Sequence, residues 1–305
     1  YSHNPDNLYA PIRYVLSLGG KRIRPTLLVL AYNMYANNVE SVFNVAAGME
    51  IFHNFTLLHD DVMDKADVRR GSPTVHKKWN ENTAILSGDG MLVLAYQYLA
   101  QCNPSYLKQI LDLANDTFIG ITDGQQFDMD FETRNDVSEL EYLEMIRLKT
   151  SILLAACLKM GAILGGASEE DANLLYSFGE KLGLAFQLQD DLLDVYGDVK
   201  VFGKRIGGDI VCNKKTYMYI NTCLLASDEE RAILAKWAQY EGDDVDAKIE
   251  AVKGVYDSVG IKGKAEAKIE ELFNEAMSLL NKVSVLEEKK SVLREYALSL
   301  MNRVL

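Results

Sequence analysis

Proline and cysteine are scarce in this sequence, and both shortages limit what the chain can be. The 305 residues contain five prolines, and none follows Pro104. Because proline is the strongest helix breaker, the 201 residues from Ser105 to Leu305 favour helix throughout. The four cysteines lie far apart without a Cys-x-x-Cys pair, which argues against a disulfide scaffold and a structural zinc site. Such isolated thiols are typical of a reducing compartment, so we expect a cytoplasmic protein.

A positive net charge and a long apolar run are also missing. With 32 basic and 44 acidic residues, the net charge is −12 at pH 7. The chain as a whole lacks the basic character of a nucleic-acid-binding protein, and we expect no such partner. The apolar run at Ile152–Leu158 is far shorter than the ~20 residues that cross a bilayer. The first residues contain no apolar signal core. We therefore expect no membrane span.

Helix signals fill the chain, whereas strand signals are missing. Ser138-x-x-Glu141 has the spacing of a capping box that opens a helix. The stretch 150–166 is apolar nearly all round, which is typical of a helix buried in the centre of a bundle. The tail 265–304 alternates charged blocks with apolar residues, as an outer helix pair does. We predict an all-α protein whose single domain, residues 1–305, holds about ten or more helices.

The pattern Asp-Asp-x-x-Asp occurs twice, each time after an apolar helical run. On a helix, the first and last acids of the pattern stack on one face and the second lies beside them. The three carboxylates repel one another and need a cation. Hard oxygen ligands suit Mg²⁺, or alternatively Mn²⁺, and Mg²⁺ completes its shell with water and phosphate oxygens. We therefore predict six metal ligands: Asp60, Asp61, Asp64, Asp190, Asp191 and Asp194.

Basic residues cluster around both motifs, although the chain is acidic overall. Three cations occur within four residues directly after a Gly-Gly pair, and an Arg-Arg-Gly follows the first motif. A Lys-Thr pair opens the apolar stretch 150–166, and several lysines follow the second motif. Guanidinium groups bind phosphate bidentately, and lysines add point charges. The pattern favours a site for two anionic groups.

These segments, in this order, resemble the trans-prenyl diphosphate synthases, also called polyprenyl synthetases. The resemblance implies an isoprenoid-synthase helical bundle around a deep central cavity, and a homodimer. It also implies head-to-tail condensation of isopentenyl diphosphate with an allylic prenyl diphosphate. The C-terminal third matches only as generic helix. The matching segments are Gly19–Pro25, Glu50–Asp64, Arg69–Gly71, Gly124–Asp128, Lys149–Thr150, Phe186–Asp194, Gly203–Lys204 and Lys214–Thr216.

The resemblance implies a role for each matching residue. The six aspartates hold the Mg²⁺ ions, about three when substrate is bound. The expected catalytic residues are Asp60, Asp61, Asp64, Lys149, Thr150, Gln187, Asp190 and Lys204. The residues expected to contact the allylic diphosphate are Arg69 and four members of this catalytic set, Lys149, Thr150, Gln187 and Lys204. The isopentenyl diphosphate pocket comprises Lys21, Arg24, His53 and Arg70.

Lys214 is expected to close over the same site from the loop after the second motif. Family members often carry Gly-Lys at this point, whereas this chain has Asn213-Lys214. The role of Lys214 therefore rests on a weaker match than the roles of the aspartates.

Two residues before the first motif are candidates for setting the product length. Phe55 and Thr56 lie about one helical turn, or ~6–8 Å, before Asp60. In the family, an aromatic residue at the fifth position before the motif implies a geranylgeranyl product, and farnesyl is the next choice. Alternatively, Phe55 only fills the core, and Met91 or Leu92 sets the floor of the tunnel.

Three other functions remain as alternatives. A class I terpene cyclase shares the first motif, but it usually carries an Asn/Ser/Glu pattern at the second and lacks Gly-Gly-Lys-x-x-Arg. A His-Asp metal phosphohydrolase would use His59-Asp60, with His53 as an upstream ligand, and leaves the second motif unexplained. A non-catalytic subunit of a synthase tends to lose its acidic motifs, and both are intact here.

Overall fold

The computed structural model describes residues 4–197 and 206–301. Within these ranges the chain is helical apart from one short hairpin and the connecting loops, so the all-α prediction is confirmed. Short 3₁₀ turns occupy Val39–Val42 and Pro104–Tyr106. The α-helices are α1 Asp6–Ser17, α2 Ile23–Asn33, α3 Phe43–Met63, α4 Val75–Lys78, α5 Glu81–Leu99, α6 Leu107–Thr133, α7 Glu139–Ile146, α8 Ile152–Gly165, α9 Glu169–Tyr196, α10 Gly208–Val211, α11 Tyr217–Leu225, α12 Asp228–Ala238, α13 Val245–Ser258, α14 Ile261–Lys282 and α15 Glu287–Met301.

Local capping explains where several helices begin. At α7 the Ser138 hydroxyl accepts a hydrogen bond from the Glu141 N–H, and the Glu141 carboxylate accepts one from the Ser138 N–H. The predicted capping box is therefore confirmed. Ser227 and Glu230 form the same box at α12. Each box satisfies N–H groups that the first helical turn leaves without a partner. The predicted outer helix pair is also present, as α14 and α15.

A hairpin interrupts the helices directly after the first acidic motif. Strand β1, Val68–Arg69, pairs antiparallel with β2, Ser72–Pro73. The two residues between them, Arg70 (φ 52°) and Gly71 (φ 74°), both lie in the left-handed region. Positive φ at both central residues is what a type I′ hairpin turn requires. Arginine is an unusual first turn residue, so the sequence carries no hairpin signal. The turn directs the chain back along the end of α3.

The apolar stretch 150–166 is not a single regular helix. It starts within a π-helical turn, Arg147–Ser151, which separates α7 from α8. The helical run Glu139–Gly165 has the length and apolarity of a membrane span, but 67% of its most apolar window is buried inside the protein. A central core helix of a globular protein has the same properties.

The described residues form two compact units. One unit takes Tyr1–Asn115 and Cys157–Ala172, and the other takes Asp116–Ala156 and Asn173–Leu305. The boundaries fall inside α6, α8 and α9. The assignment of the whole chain to a single domain stays a prediction.

In the first unit, α3 packs along α5, and α2 packs on the end of α8. Both contacts rely on glycine. A Cβ on Gly48 of α3 would lie 3.0 Å from the Ala95 carbonyl oxygen of α5. A Cβ on Gly161 of α8 would lie only 2.1 Å from the Leu28 carbonyl oxygen of α2. The helix backbones therefore touch directly at these points.

In the second unit, one hydrophobic cluster joins α7, α9, α11, α13 and α14. Its largest members include Tyr142, Tyr217 and Tyr256, which are all at most 3% exposed. Helix α9 contributes Leu188 and Leu192 to this cluster. Leu188 lies two residues before the second motif and Leu192 lies within it, so the core contact of α9 fixes the position of that motif.

We expect Gly161→Ala to lower the free energy of unfolding by about 1–3 kcal/mol, the usual cost of overpacking a rigid contact. The added methyl would collide with a backbone carbonyl, which cannot move aside. The matched control is Gly254→Ala in α13, where nothing lies within 4 Å of the added methyl. In this control the free energy of unfolding should rise by about 0.5–1 kcal/mol, since alanine favours helix more than glycine does. Denaturant unfolding measures the stability of both variants. An equal change in the free energy of unfolding for the two would contradict the close contact between Gly161 and the Leu28 carbonyl oxygen.

Candidate active site

The first acidic motif lies at the C-terminal end of α3, opposite the hairpin. Arg69 Nε of strand β1 donates a hydrogen bond of 2.7 Å to Asp61 Oδ1. Its Nη2 lies 3.6 Å from Asp60 Oδ2. Asp64 caps the helix, and its N–H donates to the Asp60 carbonyl oxygen at 2.8 Å. One guanidinium therefore holds two of the three predicted metal ligands.

The environment of Asp61 disfavours its charged form. The residue is 5% exposed. Burial raises its pKa, and the Asp60 charge acts in the same direction, whereas the charge and hydrogen bond of Arg69 lower the pKa. The balance lies above the ordinary value for aspartate. A further cation at this cluster would relieve the remaining repulsion.

A second group of cations surrounds His53, which lies about two helical turns before the motif on α3. Arg24 Nη1 lies 3.0 Å from His53 Nε2. Burial, and then the charges of Arg24, Arg70, Arg69 and Arg22, lower the pKa of His53 well below its ordinary 6.5. Four guanidinium groups around one neutral imidazole form a strongly positive pocket. An anion such as a diphosphate would lower the energy of that arrangement.

Three residues that the sequence analysis did not select hold this pocket together. Arg22 (φ 49°) turns inward, and its guanidinium donates to Glu50 Oε1 at 2.5 Å and to two carbonyl oxygens at the end of α1. Asn54, which is fully buried, donates to the Glu50 backbone and carboxylate oxygens at 2.7 and 3.0 Å. Its own Oδ1 then accepts a bond of 3.3 Å from Arg70. The i, i+4 spacing of Glu50 and Asn54 was the available signal.

The close approach of Arg70 depends on a residue without a side chain. A Cβ on Gly20 would lie 2.9 Å from Arg70 Cζ. Lys21, the next residue, is exposed. The second glycine of the Gly-Gly pair, Gly20, therefore makes room for Arg70 in the same pocket.

The second motif lies on α9 in the other unit, and its middle aspartate, Asp191, is buried. Asp191 accepts hydrogen bonds from the Tyr142 hydroxyl and from Gln187 Nε2, the latter at 3.1 Å. Burial raises the pKa of Asp191 to about 8, and the charges of Asp209 and Asp190 add to the shift, although both hydrogen bonds lower it. The charged form of Asp191 is therefore disfavoured unless a cation stabilises it.

The π-helical turn places two further predicted residues beside this motif. Thr150 Oγ1 donates to Gln187 Oε1 at 3.2 Å, which connects Thr150 to Asp191 through one amide. Lys149 Nζ lies 2.6 Å from Asp128 Oδ2 of α6. The structure therefore brings Thr150, Gln187 and Asp191 into one network, whereas the neighbouring Lys149 pairs with Asp128.

Two glycines hold the backbone of the turn. A Cβ on Gly124 of α6 would lie 2.4 Å from the backbone nitrogen of Lys149, and a Cβ on Gly183 of α9 would lie 2.6 Å from Ser151 Cα. The turn is thus gripped between α6 and α9. This contact sets the direction in which the Lys149 and Thr150 side chains leave the backbone.

Asp194, the last acid of the second motif, binds backbone. Its Oδ2 accepts a 3.0 Å hydrogen bond from the Asp209 N–H, and its carbonyl oxygen accepts one of 2.6 Å from the Gly207 N–H. The sequence analysis did not single out Asp209, although it follows two glycines in the loop after the motif. Its role next to Asp191 depends on a loop conformation that spacing does not reveal.

Two predicted lysines and the metal roles of the aspartates remain to be compared with the structure. Lys204 lies outside the described residues. Lys214 follows Asn213, whose φ is 54°. Among residues 4–197 and 206–301, no three His, Cys, Asp or Glu side chains come close enough to hold a metal ion without other ligands. The metal roles of the six aspartates therefore stay predictions.

The candidate chain-length residues pack one turn below the first motif. The Phe55 ring stands edge-on to His59, with centroids 4.8 Å apart, and contacts Phe52 at 5.5 Å. Thr56 donates its hydroxyl to the His53 carbonyl oxygen at 2.8 Å. His59 in turn fills the space above Gly88 of α5, where a Cβ would lie 2.2 Å from its Nε2. Phe55 thus belongs to a tight aromatic group.

We expect His53 to make the protein less stable in mild acid. In the unfolded chain the imidazole gains a proton near pH 6.5, whereas in the folded protein its pKa lies lower. Below about pH 6.5 the unfolded state binds more protons, so stability falls by up to about 1.4 kcal/mol per pH unit until the folded pKa is reached. Unfolding measured from pH 8 to 5 should show a shallower slope for His53→Gln. Equal slopes would contradict the neutral imidazole.

Comparison with known proteins agrees with this geometry. Residues 5–255 match the family model of the polyprenyl synthetases. Over 219 residues, the chain is 46% identical to a geranylgeranyl diphosphate synthase of Methanosarcina mazei, covering 71% of this chain and 68% of the relative. Over 274 residues, it is 36% identical to a geranylfarnesyl diphosphate synthase of Natronomonas pharaonis, covering 84% and 78%.

The fold is equally close to solved structures. The crystal structure of a geranylgeranyl pyrophosphate synthase superposes with a TM-score of 0.94 at 42% identity, over 99% of this chain and 94% of the other. The family match covers both acidic motifs, the basic pocket and the π-helical turn. This chain therefore belongs to the polyprenyl synthetase family.

Proposed function

We propose that this protein is a trans-prenyltransferase. It condenses isopentenyl diphosphate head to tail with an allylic diphosphate and makes a short-chain all-trans prenyl diphosphate. Membership of the polyprenyl synthetase family and the names of its relatives support this reaction. The observation that carries the proposal is the pair of Asp-Asp-x-x-Asp clusters, each placed with cations or polar donors that suit a diphosphate.

The carboxylate clusters fit Mg²⁺. Their donors are hard oxygens, and burial raises the pKa of Asp61 and of Asp191, so that a bound cation would stabilise charged forms that the protein alone disfavours. Mg²⁺ takes only one or two protein carboxylates and uses phosphate oxygens for the rest of its shell. We propose that the six aspartates of the motifs hold about three Mg²⁺ ions together with the substrate, and that Mn²⁺ can replace them. When bound, the metal neutralises charge on the leaving diphosphate.

The two diphosphates use different residues. We assign isopentenyl diphosphate to the positive pocket around His53, with Arg24 and Arg70 as its closest cations. The neutral imidazole can donate one hydrogen bond without adding charge. Arg69, Lys149 and Lys204 hold the allylic diphosphate, and Thr150 and Gln187 orient it. Lys214 closes over this group.

The reaction then needs stabilisation of the charge on the leaving diphosphate and exclusion of water from the allylic cation. The allylic C–O bond breaks, and its electron pair leaves with the diphosphate, whose growing charge the cations stabilise. The alkene of isopentenyl diphosphate supplies the electrons of the new carbon–carbon bond through its terminal carbon C4, which leaves positive charge on C3. Carbon C2 then loses a proton to the released diphosphate, and the electrons of that C–H bond form the new C2=C3 double bond. Apolar helix faces, such as that of α3 around Phe52 and Phe55, exclude water from the cation.

The product is expected to have twenty carbons. The relatives include both geranylgeranyl and geranylfarnesyl synthases, whose names support a short-chain product without deciding between these two lengths. We propose that Phe55, backed by Phe52 and His59, closes the end of the tunnel and stops growth at geranylgeranyl diphosphate.

We further propose that the chain acts as a cytoplasmic homodimer, with each copy folded as one domain over residues 1–305. All four cysteines are free thiols, which suits a reducing compartment. The dimer follows from the family resemblance.

A product assay tests the reaction. With Mg²⁺, labelled isopentenyl diphosphate and an allylic primer, the protein should form a prenyl diphosphate whose alcohol has twenty carbons, and a chelator should abolish the activity. Asp190→Asn should lower kcat by about 100-fold or more, the usual cost of losing one electrostatic contact in the transition state. The matched control is Asp228→Asn, since that side chain is 99% exposed at the start of α12, and its kcat should not change.

Other products would overturn the proposal. Release of inorganic phosphate without chain growth would favour a His-Asp phosphohydrolase. A cyclic hydrocarbon would favour a terpene cyclase. Both readouts come from the same reaction mixture.

The chain-length role of Phe55 has its own test. Phe55→Ala should lengthen the product by at least one five-carbon unit, because removal of the ring opens space one turn below the first motif. Phe43→Ala is the matched control on the same helix, since its ring is 49% exposed, and its product should stay the same. Sizing the dephosphorylated prenols decides the question, and an unchanged product from Phe55→Ala would contradict the assignment.

A further inference from the structure

Residues 207–213, here called the connecting segment, lie between the second acidic motif and Lys214. The start of the segment is hydrogen-bonded to α9, because Asp194 of that helix accepts hydrogen bonds from the N–H groups of Gly207 and Asp209. It includes the short helix α10, and the N–H of Lys214 donates back to the Asp209 carbonyl oxygen at 2.9 Å. The conformation of the connecting segment therefore determines the position of the Lys214 backbone.

A buried lysine from the C-terminal third holds the other end of the segment. Lys248 of α13 is only 5% exposed, which is rare for lysine. Its Nζ donates to the Val211 carbonyl oxygen at 3.0 Å and to Asn213 Oδ1 at 2.8 Å. Both acceptors belong to the connecting segment. These bonds offset the cost of removing the ammonium from water.

Asn213 converts this contact into a fixed backbone direction. Its φ of 54° lies in the left-handed region, which glycine and asparagine adopt most readily. Its side-chain amide is held from both sides, because Oδ1 accepts from Lys248 and Nδ2 donates to the Ala238 carbonyl oxygen at 3.0 Å. The residue just before Lys214 is thus clamped between α12 and α13.

The neighbour of Lys248 reinforces the clamp at the start of the segment. A Cβ on Gly207 would lie 2.8 Å from Ile249 Cδ1. Two consecutive residues of α13 therefore contact opposite ends of the connecting segment.

From these contacts we infer that Lys248 is a positioning residue for diphosphate binding, acting through Asn213 on Lys214. The inference rests on the proposed function, in which Lys214 contacts the diphosphate of the allylic substrate. It gives a function to α13, a helix that carries no recognised motif. Lys248 itself does not touch substrate. It fixes the backbone from which the Lys214 side chain extends.

The chain contains a matched control for a purely structural lysine. Lys290 of α15 is 6% exposed and donates to the carbonyl oxygens of Asn281 and Val283 at 3.1 and 3.0 Å. Its burial and its bonds resemble those of Lys248, but its acceptors lie at the end of α14, remote in sequence from both motifs. A loss of stability alone should affect Lys290→Met and Lys248→Met alike.

Steady-state kinetics separate the two lysines. Lys248→Met should raise KM for the allylic diphosphate by about tenfold, as expected from one lost charge-assisted bond, and leave KM for isopentenyl diphosphate unchanged. Lys290→Met should lower the melting temperature and leave both KM values unchanged. Lys248→Arg should recover part of the loss. An allylic KM that does not change in Lys248→Met, or that changes equally in Lys290→Met, overturns the inference.

A second variant covers the case in which Lys248→Met does not fold. Asn213→Gly keeps the left-handed backbone accessible but removes the amide clamp. It should raise the allylic KM in the same direction. A normal KM in Asn213→Gly overturns the inference.

A double-mutant cycle tests whether the effect passes through Lys214. If Lys248 acts only on Lys214, Lys248→Met should add nothing to the loss caused by Lys214→Ala. Additive losses, or a silent Lys214→Ala, overturn the inference. The same cycle is measured by calorimetric binding of inorganic diphosphate with Mg²⁺. The two substitutions could prove non-additive in diphosphate binding while the protein forms no prenyl product. That result would refute the proposed function and leave the positioning role of Lys248 in place.

Discussion

Repulsion among neighbouring carboxylates is the constraint on which the rest of the site depends. Each acidic motif crowds three acids at one end of an apolar helix, which is unfavourable without a compensating charge. In the first unit Arg69 offsets part of it by contacting Asp60 and Asp61. In the second unit Asp191 relies on Tyr142 and Gln187 as hydrogen-bond donors, and its pKa still rises to about 8. Burial and crowding thus disfavour the charged carboxylates, and a bound metal ion would stabilise them.

Direct backbone contact places the cationic partners. The π-helical turn that carries Lys149 is held between Gly124 and Gly183, and Arg70 enters its pocket over Gly20. A side chain at any of these glycines would collide with the neighbour. Such contacts leave little freedom in the backbone, and this rigidity lets long side chains reach a defined position with a smaller entropy loss.

Sequence reasoning succeeded where the chemistry is local. The all-α fold, the capping box at Ser138 and the outer helix pair follow from residue preferences within a few turns. The hairpin was missed because Arg70 adopts a left-handed conformation that arginine rarely takes. Arg22 and Asn54 were missed because their role is to hold other residues, and the i, i+4 spacing of Glu50 and Asn54 does not by itself indicate that role.

The sequence by itself determined the family, the two carboxylate clusters and the candidate residues that contact diphosphate, because these functions require particular residue types at helical spacing. Only the tertiary structure decided that Arg22 and Arg24 both reach the pocket around His53. It also decided that Asp209 lies close to Asp191, and that the distant Lys248 binds Asn213. These contacts join residues from separate helices. Their geometry depends on how the helices pack, and short-range sequence preferences do not specify it.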